Sequence, residues 1–431
     1  MVAAKEWDTA GLAAADKRYV WHPFTPMGEW CAPDHEPLVL VRGEGAWLWD
    51  SDGRRYIDGN SSIWTNIHGH NHPQINAAIR RQLELVAHTS FLGFTNPAAI
   101  ELARALVELF PPETLTRVFF SDDGSTGMEA ALRMVAQFWR LTGVKRPLFV
   151  SFRDAYHGDT AGAASLGAQV MFRSPADGWQ FPVRQVGSVE ELEGLPAGEV
   201  AAVVIEPLIQ GAAGMKLWPK GTLTAVRRWC DDAGALLIAD EVMTGFGRTG
   251  RMFACEHEGV IADILVLGKA LTGGYLPLAV TFVSEKLFAP FLEHRGPDST
   301  LFYGHSYTGN ALACAAAVAS LDLFRTDRVL DGLQPKIALM ERLVSEVAAL
   351  PGISQTRQMG FVAAIDIAPR DDASGGRRAL GQRVCLAARP HGLLTRPIRD
   401  TIVLMPPYCI SEAELSLAFD ALHATIAEVC G

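Results

Sequence analysis

Residues 234–279 read GALLIADEVMTGFGRTGRMFACEHEGVIADILVLGKALTGGYLPLA. Two apolar runs of strand length lie in this stretch, 235–239 and 264–267, and such runs are typical of strands buried on both faces of a parallel sheet. Asp240 directly follows the first run, and Lys269 follows the second after one glycine. Because ligands of open α/β sheets bind beyond the carboxyl ends of the strands, the stretch predicts a site that uses an acidic residue and a lysine.

Further apolar runs extend this pattern toward the N-terminus. The runs 148–151 and 200–205 have strand length, and the segments 125–139 and 223–230 have helical periodicity. Strand-like runs that alternate with helices predict an α/β fold whose mostly parallel sheet is covered on both faces. We expect a large central domain of this kind and a smaller domain built from both termini. The polar stretch 371–378 is predicted as a surface connection.

The composition is that of a folded globular protein, with 431 residues of which 49% are apolar and 20% charged. The net charge of −10 argues against a dedicated surface for nucleic acid or anionic membranes. Seven dispersed cysteines without a Cys-x-x-Cys pair indicate reduced thiols. The sequence has no uninterrupted apolar run of about 18 residues, and segment 1–11 lacks the apolar core of a signal peptide. We therefore expect a cytoplasmic protein with small-molecule partners and neither a nucleic-acid nor a membrane partner.

Two more segments point to the same crevice of the sheet. Segment 124–127 (GSTG) opens a predicted helix, where backbone N–H groups and hydroxyls can hold a phosphate. Segment 156–159 (YHGD) follows a strand end and supplies an aromatic ring. A phosphate cradle, an aromatic ring, a carboxylate and a lysine together describe a pyridoxal 5'-phosphate (PLP) site, in which Lys269 forms the Schiff base and Asp240 keeps the pyridine nitrogen protonated. The simpler alternative is a buried ion pair or a solvated loop charge.

Two other patterns admit a different chemistry. Segment 245–250 matches G-x-G-x-x-G, the fingerprint of dinucleotide binding, but Asp240 precedes it and the expected ribose-binding acid does not clearly follow. His68, His70 and His72 alternate and could imitate a metal site. They lie in a loop without a neighbouring carboxylate, so structural roles and no metal are expected.

Residues 234–279 resemble the class III (ω-) aminotransferases. Five further segments resemble the branch of that family that forms 7,8-diaminononanoate in biotin biosynthesis. They are WHPFTPM (21–27), DGNSSIWTNIHGHNHP (58–73), DAYHGDT (154–160), GHSYTGNALACAAA (304–317) and LLTRPIRDTIVLMPP (393–407).

The resemblance implies a fold-type I PLP-dependent transferase with a large mostly parallel-sheet domain and a smaller α+β domain from both termini. The implied boundaries are 1–70 for the N-terminal part of the small domain, 71–325 for the large PLP-binding domain and 326–431 for the C-terminal part. The hydroxyl residue at the place of Ser306 reaches the cofactor phosphate from the neighbouring subunit in this family, so the resemblance also implies a homodimer with shared active sites.

Roles carry over residue by residue onto the matched positions. The catalytic residues implied are Lys269, Asp240 and Tyr156. The cofactor-binding residues implied are Gly124, Ser125, Tyr156, His157, Glu206, Asp240, Lys269 and Ser306. The substrate-binding residues implied are Phe24, Ile63, Trp64, Tyr156, Asp159, Gly304, His305 and Arg396. Arg396 matches the arginine that pairs with the carboxylate of the keto substrate, for which a planar guanidinium is suited.

The implied activity is the conversion of 8-amino-7-oxononanoate to 7,8-diaminononanoate by a ping-pong mechanism. Phe24 and Ile63 stand where enzymes that use S-adenosylmethionine have tyrosine and tryptophan, and Gly304-His305-Ser306 replaces Gly-Pro-Thr. These departures favour lysine over S-adenosylmethionine as the amino donor. The alternatives are another ω-aminotransferase acting on ornithine, 4-aminobutyrate or a diamine, an NAD-dependent oxidoreductase, and a non-enzymatic PLP-binding regulator.

Overall fold

The computed structural model describes residues 7–167, 181–293, 296–369 and 380–431. The stretch 371–378, predicted above as a surface connection, lies outside the described residues. Among the helices in the described ranges, none is long and apolar enough to cross a membrane.

The strands of the described ranges form four sheets. In chain order they are β1 (Leu40–Glu44), β2 (Trp47–Asp50), β3 (Arg55–Asp58), β4 (Leu115–Ser121), β5 (Leu148–Phe152), β6 (Arg184–Val186), β7 (Val200–Ile205), β8 (Ile209–Gln210), β9 (Lys216–Leu217), β10 (Leu236–Asp240), β11 (Ile264–Leu267), β12 (Ala279–Ser284), β13 (Ile353–Met359), β14 (Val362–Ile367), β15 (Leu393–Leu394), β16 (Arg396–Ile398) and β17 (Thr401–Leu404).

The helices lie between and around these strands. In chain order they are α1 (Thr9–Tyr19), α2 (Met27–Trp30), α3 (Ser61–Trp64), α4 (Pro73–Leu85), α5 (Pro97–Val107), α6 (Gly124–Leu141), α7 (Ala161–Leu166), α8 (Val189–Glu193), α9 (Thr222–Ala233), α10 (Glu285–Glu293), α11 (Ala311–Thr326), α12 (Val329–Ala348), α13 (Leu380–Ala387) and α14 (Glu412–Cys430). The segment α3 is a single turn whose backbone is left-handed at all four residues.

A seven-stranded sheet in the order β4-β12-β11-β10-β7-β5-β6 forms the centre of the fold. Its strands are parallel except for β12, which runs antiparallel to both of its neighbours. All residues of β7, β10 and β11 are buried, which explains their uninterrupted apolar sequences. The predicted α/β class with a mostly parallel sheet is confirmed, and the carboxyl ends of β7, β10 and β11 meet at one edge.

Helices cover both faces of this sheet, because alternate residues of a strand point to opposite faces. Ala202 and Val204 of β7 belong to the apolar cluster that contains the buried residues of α6. Val203 and Ile205 belong to the cluster that contains the buried residues of α9, α5 and α11. The sheet is therefore a rigid support for the residues at its carboxyl edge.

Two smaller sheets combine the outer parts of the chain. Strands β2 and β3 form an antiparallel hairpin, and β15 from the C-terminal part adds in parallel to β3. The sheet β13-β14-β17-β16 is antiparallel. Strands from both ends of the chain thus share a sheet, whereas the domain boundaries at 70/71 and 325/326 stay predictions.

Candidate active site

Three side chains predicted from strand ends lie around one cavity at the carboxyl edge of the central sheet. Glu206 follows β7, Asp240 ends β10, and Lys269 follows β11 after Gly268, and these three strands are neighbours. All three residues line a cavity of about 420 Å³. Parallel alignment of the strands brings these residues together, since residues after parallel strands emerge at the same edge.

Asp240 is held by a buried histidine. Its Oδ2 lies 2.7 Å from Nδ1 of His157, and its Oδ1 accepts a hydrogen bond of 3.1 Å from the backbone N–H of Val242. Burial disfavours the charged imidazole, but the hydrogen bond and the negative charges of Asp240 and Glu206 outweigh it and raise the pKa of His157. The two contacts orient the Asp240 carboxyl group, which lines the cavity, as a partner for a ring nitrogen must be oriented.

Lys269 has the properties of a reactive amine. Burial lowers the pKa of its amino group, and the negative charges of Asp240 and Glu206 act in the opposite direction. Its Nζ lies 5.0 Å from the ring centroid of Trp64. Because the neutral amine is the nucleophile, a lowered pKa favours covalent chemistry with a carbonyl.

The start of α6 forms an open cradle. The side chain of Asp123 accepts from the N–H of Thr126 at 2.8 Å and caps the helix. Gly124 and Ser125 line the cavity, and a Cβ at Gly124 would lie 2.6 Å from Cγ1 of Val242. The N-terminus of a helix with free N–H groups and no side chain in the way suits a phosphate.

Tyr156 and Glu206 form another side of the cavity. Burial, followed by the hydrogen bond that its hydroxyl donates to Asp159 Oδ2 at 2.7 Å, raises the pKa of Tyr156. Glu206 accepts hydrogen bonds from the backbone N–H groups of Tyr156 at 3.2 Å and Gly211 at 2.9 Å. Burial raises the pKa of Glu206 to about 7. Glu206 therefore ties two backbone segments of the cavity wall together.

The structure brings eight of the predicted site residues together around the cavity. They are Trp64, Gly124, Ser125, Tyr156, His157, Glu206, Asp240 and Lys269. Asp159 does not line the cavity itself but accepts a hydrogen bond from Tyr156, which does. Similarly, Nδ1 of His305 lies 3.0 Å from Oδ2 of Asp122, which lines the cavity.

The other predicted residues do not line this cavity. Phe24, Ile63, Gly304, Ser306 and Arg396 are exposed on the described chain. The backbone carbonyl of Ser306 accepts from His88 Nε2 at 2.8 Å. All five lie at the surface of a single chain, where a second molecule could reach them.

The histidines of the possible metal pattern have other partners. His68 Nε2 lies 3.0 Å from Ser320 Oγ, and His70 Nε2 lies 2.9 Å from Asp58 Oδ2. Within the described ranges no group of three or more possible ligands is placed to hold a metal. The G-x-G-x-x-G segment is a buried turn, in which Arg248 donates to the carbonyl of Pro406 at 2.9 Å.

Several cavity-lining residues were not predicted. They are Thr65, Asp122, Asp123, Gly158, Gly211, Ala212, Val242, Met243, Thr244 and the segment 274–278. Asp123 carried a signal, since an aspartate before a Gly-Ser-Thr helix start is a typical cap. The segment 274–278 approaches through tertiary contact with 65–66, where a Cβ at Gly274 would lie 2.7 Å from Asn66 Cα. Nothing in the local sequence predicts such an approach.

The residues present fit PLP. The cradle at the start of α6 suits its phosphate, the buried carboxylate of Asp240 suits its ring nitrogen, and the Lys269 amine, with its lowered pKa, suits its aldehyde. The α/β fold and this site define a PLP-dependent transferase. The model of the family "Aminotransferase class-III" matches residues 31–426. The chain belongs to the class III aminotransferase family, and it is a PLP-dependent aminotransferase.

Relatives and solved structures of this family resemble the chain over almost its whole length. The adenosylmethionine-8-amino-7-oxononanoate aminotransferase of Geobacter sulfurreducens is 43% identical, with 99% of each chain covered. The enzyme of the same name from Methanocaldococcus jannaschii has a crystal structure with a TM-score of 0.93 and 37% identity, covering 98% of this chain and 99% of that one. An amine transaminase from an uncultivated Pseudomonas species, solved in a PLP-bound form, gives a TM-score of 0.88 at 33% identity, with 96% of this chain and 99% of that one covered.

Proposed function

We propose that this aminotransferase converts 8-amino-7-oxononanoate to 7,8-diaminononanoate in biotin biosynthesis. The observation that carries the substrate is the name shared by relatives that match at full length, including the Geobacter sulfurreducens enzyme. Five sequence segments outside the lysine region, quoted above, support the same branch of the family.

The proposed chemistry divides into two half-reactions at one cavity. When bound, PLP supplies an aldehyde for amines and a ring that delocalises the electron pair of a carbanion. Lys269 would hold the cofactor covalently, and its amino group would move a proton at the reacting carbon as general base and acid. Its lowered pKa suits both tasks. Asp240 keeps the ring nitrogen protonated, and His157 orients Asp240.

The wall residues position the cofactor and the acceptor in this proposal. Gly124 and Ser125 bind the phosphate at the start of α6, and Tyr156 contacts the ring. Arg396 binds the carboxylate of the acceptor. Arg396 is exposed on β16, so the flexible carbon chain of the acceptor can bring its carboxylate to it from solvent. Ser306 serves the phosphate of a neighbouring subunit, so we propose a homodimer.

The amino donor has two candidates, each with its own observation. The relatives are named for adenosylmethionine, which favours that donor. Phe24 and Ile63 favour lysine, because Phe24 lacks the tyrosine hydroxyl and Ile63 lacks the aromatic face on which an adenine ring would gain about 0.5–1.5 kcal/mol. The double variant Phe24→Tyr with Ile63→Trp should shift the preference toward S-adenosylmethionine if these positions decide.

A donor panel tests the proposal in the cofactor-loaded protein. Lysine, S-adenosylmethionine, ornithine and glutamate are supplied separately, and loss of the visible absorbance of the bound cofactor reports the first half-reaction. Addition of 8-amino-7-oxononanoate should then restore the absorbance. Recovery with 4-aminobutyrate-derived or ornithine-derived carbonyl compounds, and none with 8-amino-7-oxononanoate, would contradict the proposed substrate.

Borohydride reduction tests the attachment site independently of any substrate. After reduction and proteolysis, the cofactor should be found on the peptide containing Lys269. Lys269→Ala should lose the label and the turnover, whereas the surface variant Lys220→Ala should keep both. A label on any other lysine would contradict the assignment.

A further inference from the structure

The turn α3 next to the cavity has an unfavourable backbone. Its four residues have φ values of +44° at Ser61, +49° at Ser62, +64° at Ile63 and +69° at Trp64. For L-residues the left-handed conformation is disfavoured by about 1–2 kcal/mol each, and a β-branched residue such as Ile63 is the least suited to it. A run of four such residues persists only if the surrounding structure holds it.

Asp58 supplies that hold. This buried carboxylate lies at the end of β3 and is 3% exposed. Its Oδ1 accepts from the N–H groups of Ser62 at 3.1 Å and Asn60 at 3.3 Å, and its Oδ2 accepts from the Ser62 hydroxyl at 2.9 Å. His70 Nε2 lies 2.9 Å from the same Oδ2. One side chain therefore accepts hydrogen bonds from the residue before the turn and from the second residue of the turn.

Neighbouring contacts fix Asp58 and the turn further. Asn66 Nδ2 lies 3.2 Å from Nδ1 of His70, so His70 is held on one side by Asn66 and on the other by Asp58. The hydroxyl of Ser61 donates to the carbonyl of Met405 at 2.5 Å. These contacts come from separate parts of the chain and converge on the turn.

The turn determines where the indole of Trp64 lies. Nε1 of Trp64 donates to Oδ1 of Asn60 at 2.7 Å, and the ring faces Lys269 Nζ at 5.0 Å from its centroid. A cation within about 6 Å of an indole face is attracted to it, and more strongly where water is excluded. The turn thus sets the only aromatic face that contacts the Lys269 amine in the described part of the chain.

We propose that Asp58 is a positioning residue that holds 61–64 in the left-handed turn and so places Trp64 against Lys269. The proposal rests on the proposed role of Lys269 as the reactive amine. Asp58 does not line the cavity and acts through Ser62 and Trp64.

The variant Asp58→Asn tests the proposal, because an amide nitrogen cannot accept from Ser62 Oγ or His70. In the cofactor-loaded protein we expect two changes that need no substrate. Acrylamide should quench Trp64 more strongly, as isolated by subtracting the spectrum of Trp64→Phe. The pH midpoint of the bound cofactor's visible absorbance should move to lower pH, since a cation at Nζ loses its aromatic face. The matched control Asp52→Asn, in the exposed turn of the β2–β3 hairpin, should show neither change.

A double-mutant cycle separates positioning from general damage. Asp58→Asn should lower kcat roughly tenfold, the size expected for a lost cation–π contact in a desolvated site. In the Trp64→Leu background it should lower kcat much less, because no aromatic face is left at position 64 for Asp58 to position. Equal effects in both backgrounds would overturn the proposal, as would an unchanged midpoint in Asp58→Asn.

Ser62→Ala provides the second variant, since Ser62 is exposed and its loss does not threaten folding. It removes one of the hydrogen bonds to Asp58 and should move the midpoint and the quenching in the same direction by a smaller amount. No change in either would overturn the proposal even if Asp58→Asn failed to fold. If instead the wild-type enzyme did not turn over 8-amino-7-oxononanoate, the proposed substrate would fail while these two readouts still stood.

Discussion

The carboxylate of Asp240 is 6% exposed, and one of its oxygens is hydrogen-bonded to a histidine that is itself buried. Asp240→Asn keeps the shape of the side chain but removes its negative charge. A neutral amide cannot hold a ring nitrogen protonated, so we expect the rate of the half-reaction to fall by about 10²- to 10⁴-fold. Single-turnover absorbance changes measure this rate.

The matched control for this variant is Asp231→Asn. Asp231 is an exposed residue of α9 that pairs with Arg227, and its loss should leave the rate unchanged. Near-normal turnover of Asp240→Asn would show that another group protonates the ring.

The raised pKa of Glu206 should make the stability of the folded protein depend on pH. Burial raises its pKa to about 7 in the folded protein, whereas an unfolded glutamate titrates near its ordinary value of 4.5. Between these values the folded state holds the proton and the unfolded state does not. The contribution of Glu206 to the free energy of unfolding is therefore full below the unfolded pKa and is lost as pH rises through about 7.

Glu206→Gln should remove this dependence in the cofactor-free protein. The wild-type free energy of unfolding should fall relative to that of the variant as pH rises from 5 to 8, by up to about 3 kcal/mol. Urea titrations at each pH measure the difference. Glu193→Gln, at the exposed end of α8, should run parallel to wild type, and a Glu206→Gln variant that did so too would contradict the shift.

At the scale of elements, the cradle depends on close contact between the start of α6 and segment 156–160. Gly158 has a φ of +123°, and a Cβ there would lie 2.4 Å from Ser125 Oγ. Gly158→Ala should push segment 156–160 away from the start of α6, because the new Cβ would meet the backbone and the short side chain of Ser125, which cannot move aside easily. We expect cofactor binding to weaken by roughly tenfold or more. Titration of the cofactor-free protein with PLP, followed by absorbance, measures the affinity.

Gly143→Ala controls for backbone strain without a clash. Gly143, which follows the C-terminal end of α6, also has a positive φ of +69°. Nothing lies within 4 Å of the position that its Cβ would take. Its PLP affinity should stay at the wild-type value. Equal weakening in both variants would assign the effect to general destabilisation rather than to the cradle.

Elements differ in how far the sequence predicts them. The runs VAAVVI and ILVL are continuous and apolar, and α6 has an apolar stripe with a capping aspartate, so their structure follows from local pattern. The antiparallel direction of β12 does not follow from local pattern, because parallel and antiparallel strands have the same side-chain periodicity. The turn α3 even opposes local preference, since it places the β-branched Ile63 at positive φ and is held by Asp58 from outside.

The residues of the candidate site also differ in whether local sequence pattern predicts them. Asp240 and Lys269 were predictable because each follows a strand at a known edge of the sheet. Met243, Tyr275 and Thr65 line the same cavity, but they reach it through loops whose path depends on contacts with distant segments. Tertiary packing, which no local pattern encodes, completes the site.

At the scale of the whole molecule, several predicted site residues face outward. Phe24, Ile63, Ser306 and Arg396 are exposed on the described chain, and large apolar side chains such as Trp21 and Phe302 are 87% and 76% exposed. Exposed apolar surface of this kind is typical of a protein interface. It supports the proposed dimer, in which each cavity receives Ser306 from the other subunit.

A mixed dimer tests the shared site. Chains carrying Lys269→Ala and chains carrying Ser306→Ala are refolded together, so that one site per heterodimer has both Lys269 and Ser306. Activity per Ser306→Ala chain should rise above that of the Ser306→Ala protein alone. An unchanged value, or full activity from a strictly monomeric wild type in analytical ultracentrifugation, would contradict sharing.

The parallel pairing of β3 with β15 has a consequence for synthesis on the ribosome. All strands of the central sheet lie between Leu115 and Ser284, so that sheet can form while the C-terminal part is still being translated. Ile57 and Asp58 must wait for Leu393 and Leu394, their partners in the ladder. A nascent chain therefore carries β3 with an open edge through most of its elongation, the kind of edge that invites wrong pairing and chaperone binding. Because Asp58 ends β3 and anchors the turn beside Lys269, that turn gains the support of its neighbouring strand only after Leu393 and Leu394 have been translated.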